Sequence, residues 1–351
     1  MDRSKAEELL KLKLQAQGLL DLFEPLLGLQ GFHLRDVYAL RTLLDVGGQG
    51  VLFVADDLRH PGTQVVVKMP FVAYHRQAYV DQAAIREARS DLLWEAYCLA
   101  AFPGTVLPEI YDYLEDVNPL LDPAWPPEVR KRESYLVMEY ISGVSLDHER
   151  QVQHSRSPVD FRHIEALAWE VLEQALLLSE KLRSERQWLY TDMRPQNILL
   201  AQHDDRRGMA GWRRRFLASE WLLPPCKVDT SVRIIDAGSI ANPAGSRRRF
   251  PHHPAYLPPG IYQAIQAGQT VTPDPSLVMH ALAKSLHQLL TNEEPFPGRT
   301  PDLSHSRLDN YSQSLRDVLG NMTSAQCATF SEAIALMFDQ RKAHTNPRRG
   351  L

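Results

Sequence analysis

The sequence predicts an α+β protein of two lobes, a small one rich in strand followed by a larger one that is mainly helical. Three observations predict it. Apolar and β-branched runs of strand length, parted by turn residues, crowd into the first part of the chain. From residue 261 onward the apolar spacing is that of helices. A length of 351 residues also exceeds what one hydrophobic core readily serves, so two cores are expected.

Taken in order, residues 4–27 place Leu9, Leu10, Leu12, Leu14, Leu19, Leu20, Leu22, Leu26 and Leu27 among charged residues. That spacing predicts one amphipathic helix ending near Pro25 or Gly28 and packing on the body of the protein. From Leu43 to Lys68 the texture becomes strand-like. Val51–Ala55 and Val65–Met69 read as strands, separated by the turn residues Asp57, Pro61 and Gly62. Helical spacing returns over 82–102, with Leu92, Leu93, Ala96 and Leu99 on one side. Tyr135–Ile141 reads as a buried strand, 161–183 as a long helix, and 198–200 and Val232–Ile235 as short strands. The polar stretch 203–229, with Trp212 and Arg213-Arg214-Arg215, reads as an insertion, and the Pro-rich 118–127 as a loop. The expected organisation is an N-terminal helical extension (1–35), a small lobe (36–140), a large lobe (141–340) interrupted at 203–229, and a frayed tail (341–351).

Composition narrows the function classes. With 44% hydrophobic and 23% charged residues and a net charge of -4, the chain has no overall pull toward nucleic acid or an anionic membrane. No apolar run approaches the roughly 20 residues of a membrane span, because Lys11, Lys13, Asp21 and Glu24 interrupt the leucine-rich opening. No apolar h-region follows the first charges, so no signal peptide is expected. Cys98, Cys226 and Cys327 stand far apart without a C-x-x-C pair, which fits ordinary thiols in a reducing, cytoplasmic setting.

Four features carry chemistry. Gly47-Gly48-Gln49-Gly50 lies between two strand-like runs, where glycines let the backbone approach a phosphate closely; a tight hairpin would use the same residues. No G-x-x-x-x-G-K-[ST] occurs, so the phosphate loop of P-loop NTPases is absent. Lys68 closes the run Val65-Val66-Val67, and an ammonium buried there needs an anion, although a strand-end lysine reaching for solvent is the plainer reading. The segment from Tyr190 to Leu200 sets Asp192 five residues before Asn197, with Pro195 between and a strand directly after. A carboxylate there suits orienting a hydroxyl, and an amide oxygen suits a hard cation. Asp236 ends the run Val232–Ile235 ahead of Ala237-Gly238, a sound place to hold Mg²⁺ against phosphates. His252, His253 and His280 have no ligand spacing and are not read as a metal site.

Together and in this order, these features resemble the eukaryotic-type protein kinases of the bacterial serine/threonine kind, over about residues 40–335. The most specific segment is Asp192-Met193-Arg194-Pro195-Gln196-Asn197-Ile198-Leu199-Leu200. Val137-Met138-Glu139-Tyr140-Ile141-Ser142-Gly143 resembles the family's hinge. Pro254, Tyr256, Leu257 and Pro259 resemble its peptide-docking segment, and Ser285–Phe296 its large-lobe helix and following turn.

The resemblance implies a bilobal protein-kinase-like fold and transfer of the γ-phosphoryl group of Mg·ATP to serine or threonine hydroxyls. Gly47, Gly48 and Gly50 would cover the phosphates. Lys68 would contact them, held by Glu95, which suits the end of the helix better than Glu87. Met138 would be the gatekeeper, with the backbone of Glu139 and Ile141 bonding adenine. Asn197 and Asp236 would hold Mg²⁺, Asp192 would orient the acceptor hydroxyl, and Arg194 would stand where the family places a lysine near the γ-phosphate. The partner would be a protein substrate, docked through the 203–229 insertion or the N-terminal helix.

The chain departs from the family at several points. Asp45 replaces the first loop glycine, Tyr190-Thr191 replace histidine and arginine before Asp192, and Ala237 replaces a phenylalanine. His253 stands where serine/threonine kinases place a threonine. Pro258-Pro259-Gly260 lacks the family's glutamate, and no arginine near Ala325–Ser331 offers its usual partner. Arg247-Arg248-Arg249 could attract an acidic substrate or simply be solvated. Two other readings are a scaffold that has lost turnover and a small-molecule kinase of the aminoglycoside-phosphotransferase type. The retained Lys68, Glu95, Asp192, Asn197 and Asp236 speak against the first, and the hinge and peptide-docking segments against the second.

Overall fold

The computed structural model describes residues 3–16, 20–47, 50–70, 82–117, 119, 133–201, 231–245, 250, 252–324 and 326–345. Gly48, the 203–229 insertion with Cys226, Arg247–Arg249 and most of the 118–127 stretch lie outside the described residues. The chain divides into two compact units, Met1–Pro103 with Pro108–Tyr140, and Gly104–Leu107 with Ile141–Leu351. The short piece Gly104–Leu107, expected in the small lobe, thus belongs to the second unit, where Val106 accepts the Ile234 N–H at 2.9 Å.

The first unit contains α1 (Arg3–Ala16), α2 (Phe23–Leu27), β1 (His33–Leu34), β2 (Tyr38–Gly47), β3 (Gly50–Asp57), β4 (Gln64–Pro70), α3 (Gln82–Ala101), β5 (Ile110–Asp116) and β6 (Glu133–Glu139). Its six-stranded sheet runs β1-β2-β3-β4-β6-β5 with every neighbouring pair antiparallel. Val65, Val67 and Met69 alternate with Lys68 along β4, so the period of two sends the valines to one face and the lysine to the other. On the first face Val46, Val51, Phe53, Val65 and Val67 share a core with Leu10 and Leu14 of α1 and Phe23 and Leu26 of α2.

The leading segment therefore packs on the sheet, but not as the single helix its leucines predicted. α1 stops at Ala16, and α2 starts at Phe23 after a 3₁₀ turn over Leu20–Leu22. Pro25 sits in the first turn of α2, where a missing N–H breaks no intrahelical bond. Strand β2 also begins earlier than its apolar texture suggested, because Arg41 and Thr42 are exposed in it. Gly47 and Gly50 pair at the ends of β2 and β3. A side chain on Gly50 would place its Cβ 2.5 Å from the Met69 carbonyl oxygen, so glycine is what lets β3 and β4 pair there.

The second unit contains β7 (Gly143–Ser145), α4 (Leu146–Ser155), α5 (Phe161–Arg186), β8 (Leu189–Tyr190), β9 (Ile198–Ala201), β10 (Ser231–Ile234), β11 (Ile240–Ala241), α6 (Pro259–Gln266), α7 (Pro275–Thr291), α8 (Gln313–Thr323) and α9 (Phe330–Thr345). Ser145, Asp160, Asp274 and Ser312 each cap a helix by accepting an N–H three residues on. Every residue of α7 from Leu277 to Thr291 is buried, which makes it the axis of the unit. Among the described residues no helix is long and apolar enough to cross a membrane.

Two short antiparallel pairings, β8 with β11 and β9 with β10, place the loop at 191–197 beside the turn at 235–239. Cross-bonds fix them together. Thr191 donates its N–H and its Oγ1 to the Ser239 carbonyl at 3.0 and 2.9 Å, and the Ile235 N–H reaches the Asn197 carbonyl at 2.9 Å.

Candidate catalytic site

In the first unit, Lys68 faces away from the valine core and meets α3. Its Nζ donates to Glu95 Oε2 at 2.6 Å, and the two residues are only 5% and 2% exposed. Glu95 shares its side of the helix with Leu92, Ala96 and Leu99, all buried, whereas Glu87 is exposed. Gly50 lies over the lysine stem, its site for a side chain being 3.3 Å from Lys68 Cε. Two oppositely charged groups removed from water this far hold each other in one geometry, since either alone would bear a large desolvation cost.

Met138 pairs with Val66 and Ile110 inside the sheet and is 8% exposed. The Glu139 N–H is bonded to the Glu109 carbonyl at 2.8 Å, and its carboxylate accepts the Glu109 N–H at 3.0 Å. The Glu139 N–H, expected as a contact for adenine, is thus spent within its own unit. Ile141 opens the second unit and is buried.

In the second unit, Asp192 is 7% exposed. Asn197 Nδ2 donates to its Oδ2 at 3.0 Å and to its backbone carbonyl at 2.9 Å. Arg194 Nε stands 2.9 Å from the same Oδ2, an ion pair whose N–H is not aligned well enough for a hydrogen bond. Both neighbours engage Oδ2, and Oδ1 is buried with no hydrogen-bond partner. Burial pushes the Asp192 carboxyl above its ordinary range and the charge of Asp236 adds to this, while Arg194 and Asn197 pull it back.

Asp236 adopts a left-handed conformation (φ 64°), a strained state for any residue but glycine, though aspartate bears it better than most. Its Oδ2 accepts from Ser239 Oγ at 2.9 Å. His253 caps the 3₁₀ turn Pro254–Tyr256, its Nδ1 accepting the Ala255 N–H at 3.3 Å. Burial, with the Arg194 charge, lowers its pKa below the ordinary imidazole value.

Three supports had little or no sequence signal. Ser285 of α7 donates its Oγ to the Met193 carbonyl at 2.7 Å, tying the loop to the central helix; a serine within a wholly buried helix was the one hint. Tyr190 Oη bonds the Ile235 carbonyl at 2.5 Å, directly before Asp236. Tyr256 donates to Gln288 Oε1 at 2.7 Å, and Gln288 in turn donates to Glu294 at 2.8 Å. Arg150 then binds Glu294 and Asn292 at 2.7 Å each and Asp147 at 2.9 Å. This chain of bonds anchors the segment from Pro254 to Pro259, which lacks both the glutamate and the arginine that its resemblance led us to expect.

The residues present fit a hard divalent cation. Asn197 spends its nitrogen twice on Asp192, so its amide oxygen is the atom it could offer a cation as a neutral ligand, and the nearby Asp236 supplies a carboxylate. Among the described residues no group of three or more His, Cys, Asp or Glu side chains converges on a metal position. An ion held by few protein oxygens and completed by phosphates and water is the arrangement Mg²⁺ prefers.

No protein-family model matches the chain. It is 25% identical over 271 residues to the serine/threonine-protein kinase PknB of Mycolicibacterium smegmatis, covering 77% of this chain and 35% of that protein. To PknB of Mycobacterium tuberculosis it is 26% identical over 271 residues, covering 77% of this chain and 34% of that one. The chain thus spans about a third of the length of the curated relatives it matches. Among solved structures, the PknI kinase domain of Mycobacterium tuberculosis superposes with a TM-score of 0.54 at 17% identity, over 89% of this chain and 98% of that domain. That likeness is one of fold, and the fold is the bilobal protein kinase fold.

Proposed function

We propose that this chain, a divergent relative of the bacterial serine/threonine protein kinases, transfers the γ-phosphoryl group of Mg·ATP to serine or threonine hydroxyls of a protein. The observation that carries the reading is the Asp192 carboxylate, with one oxygen engaged by Asn197 and Arg194 and the other buried without a partner. Native proteins rarely bury an orphan acceptor, and an incoming hydroxyl is the partner it lacks.

Each side chain then has a part. Asp192 Oδ1 accepts the hydroxyl's hydrogen bond, aims its oxygen at the γ-phosphorus and takes the proton as the new O–P bond forms and the bond from that phosphorus to the departing ADP breaks. Its raised pKa makes the carboxylate a better base than an exposed aspartate. Arg194 steadies the negative charge at that point. Lys68, directed by Glu95, meets phosphate oxygens with a fixed ammonium, so little reorganisation remains when charge shifts in the transition state. Asn197 and Asp236 would hold Mg²⁺, which when bound offsets the charge of the phosphates. Most of the acceleration comes from positioning and charge neutralisation, because phosphoryl transfer asks for little covalent chemistry from the protein.

Thermal unfolding with and without Mg·ATP tests the nucleotide half of this reading. Nucleotide at 100 times its dissociation constant stabilises by about 2.7 kcal/mol, an easily measured shift. An unchanged midpoint at millimolar Mg·ATP would remove ATP as the ligand.

A further inference from the structure

Asp45, close to the end of β2 just before the glycine segment, is an odd neighbour for phosphates, and the fold gives it a dedicated partner. Its carboxylate is met by Lys13 Nζ of α1 at 2.5 Å, across a sequence separation of 32, and the same oxygen accepts the Val46 N–H at 2.8 Å. The two side chains are 39% and 41% exposed, and exposed pairs of this kind contribute little to stability. The pair nevertheless sits on a rigid frame. Leu10 and Leu14, flanking Lys13 on α1, are buried in one core with Leu43, Val46 and Val51, strand residues near Gly47 and Gly50. The register of β2 against β3 slips between Leu43 and Asp45, so a bulge at the exposed Leu44 redirects the strand just before Asp45, which pairs with Leu52.

From this geometry we infer that Lys13 is a positioning residue of the nucleotide site: it holds the Asp45 carboxylate aside and neutralises it, so that the loop receives a polyphosphate without a bare negative charge beside it. The inference rests on the proposed binding of Mg·ATP, and it makes α1 a working part of the nucleotide lobe rather than an appendage. It also gives a reason for an acidic residue in a loop built to face phosphates. A carboxylate whose charge is balanced by a lysine from another element makes nucleotide affinity depend on whether that element is docked.

The test is a double-mutant cycle on the full chain, with Lys13→Met, Asp45→Asn and the pair together, titrated separately with Mg·ATP and with adenosine. Lys13→Met should weaken Mg·ATP about tenfold, or about 1.4 kcal/mol, because an unpaired unit charge then faces the phosphates. Asp45→Asn should bind at least as tightly as the wild type, and adding Lys13→Met to it should cost nothing further. Adenosine, which carries no phosphate, should bind all four proteins alike. A Lys13→Met protein that binds Mg·ATP as the wild type does would overturn this inference and leave the kinase reading standing. Equal losses for adenosine and Mg·ATP would also overturn it, reducing Lys13 to a packing role. A wild type that binds neither ligand would sink both.

Discussion

Removing Glu95 while keeping Lys68 should destabilise the first unit severely, and removing both should not. The ammonium and carboxylate meet at 2.6 Å with side chains 7% and 3% exposed, so neither charge has water to fall back on. Breaking a buried pair by deleting one partner costs about 3–5 kcal/mol, because the survivor stays buried and uncompensated. Replacing both by apolar groups of similar volume is often neutral or stabilising. Glu95→Ala should therefore lower the midpoint of thermal unfolding by about 10 °C or more for a unit of this size. The double variant Lys68→Met, Glu95→Leu should unfold close to the wild type and yet transfer no phosphate. Tryptophan fluorescence suits the measurement, since Trp94 adjoins Glu95 in α3. Wild-type stability for Glu95→Ala, or an equal fall in the double variant, would refute the claim that the pair is buried and mutually dependent.

Three further outcomes follow from the same reasoning. Asp192→Asn should reduce transfer by about 10²–10⁴-fold while leaving the fold intact, as measured with γ-labelled ATP and circular dichroism. Because burial raises the Asp192 pKa, the folded state holds that proton more tightly, and the group's contribution to stability declines as pH rises through the shifted value. The asparagine variant should lack that decline and be at least as stable near neutral pH in urea titrations. His280 behaves in the opposite sense: burial and the Lys284 charge hold its pKa at about 4, so stability is lost as pH falls from about 6.5 toward 4. His280→Leu should flatten that limb, whose slope approaches 1.4 kcal/mol per pH unit, or about one proton. Ser285→Ala removes the bond to the Met193 carbonyl, and should cost about 1 kcal/mol and slow transfer while Mg·ATP affinity stays unchanged.

What the sequence disclosed, and what it withheld, follows the range of the interactions. Strands β3 and β4 were legible because their β-branched runs are local, and Lys68 stood out as a cation closing an apolar run. The spacing of Asp192 and Asn197 was legible because a short loop between a turn and a strand fixes both residues. Glu95 took a comparison with Glu87, decided in the sequence by its place near the helix end, and the structure buries it on one face with Leu92, Ala96 and Leu99. The break between α1 and α2 was hidden, since the leucine spacing continues through it. Contacts between distant residues were hidden too. Lys13 reaches Asp45 only because α1 folds back on the sheet, and Arg150 meets Glu294 across a separation of 144. The missing glutamate and arginine were visible as absences, but the bonds from Tyr256 through Gln288 to Glu294 that hold the same segment use residue types common in any helix.

The measurement closest to the central claim is phosphate transfer itself. The full chain, incubated with γ-labelled ATP, Mg²⁺ and a serine- and threonine-rich protein acceptor, should place label on hydroxyl side chains identifiable by mass spectrometry. Lys68→Met and Asp192→Asn should each reduce the signal by about 10²-fold or more. Label that never leaves ATP, or that both variants still transfer at the wild-type rate, would contradict the assignment of this site as the catalytic centre of a kinase.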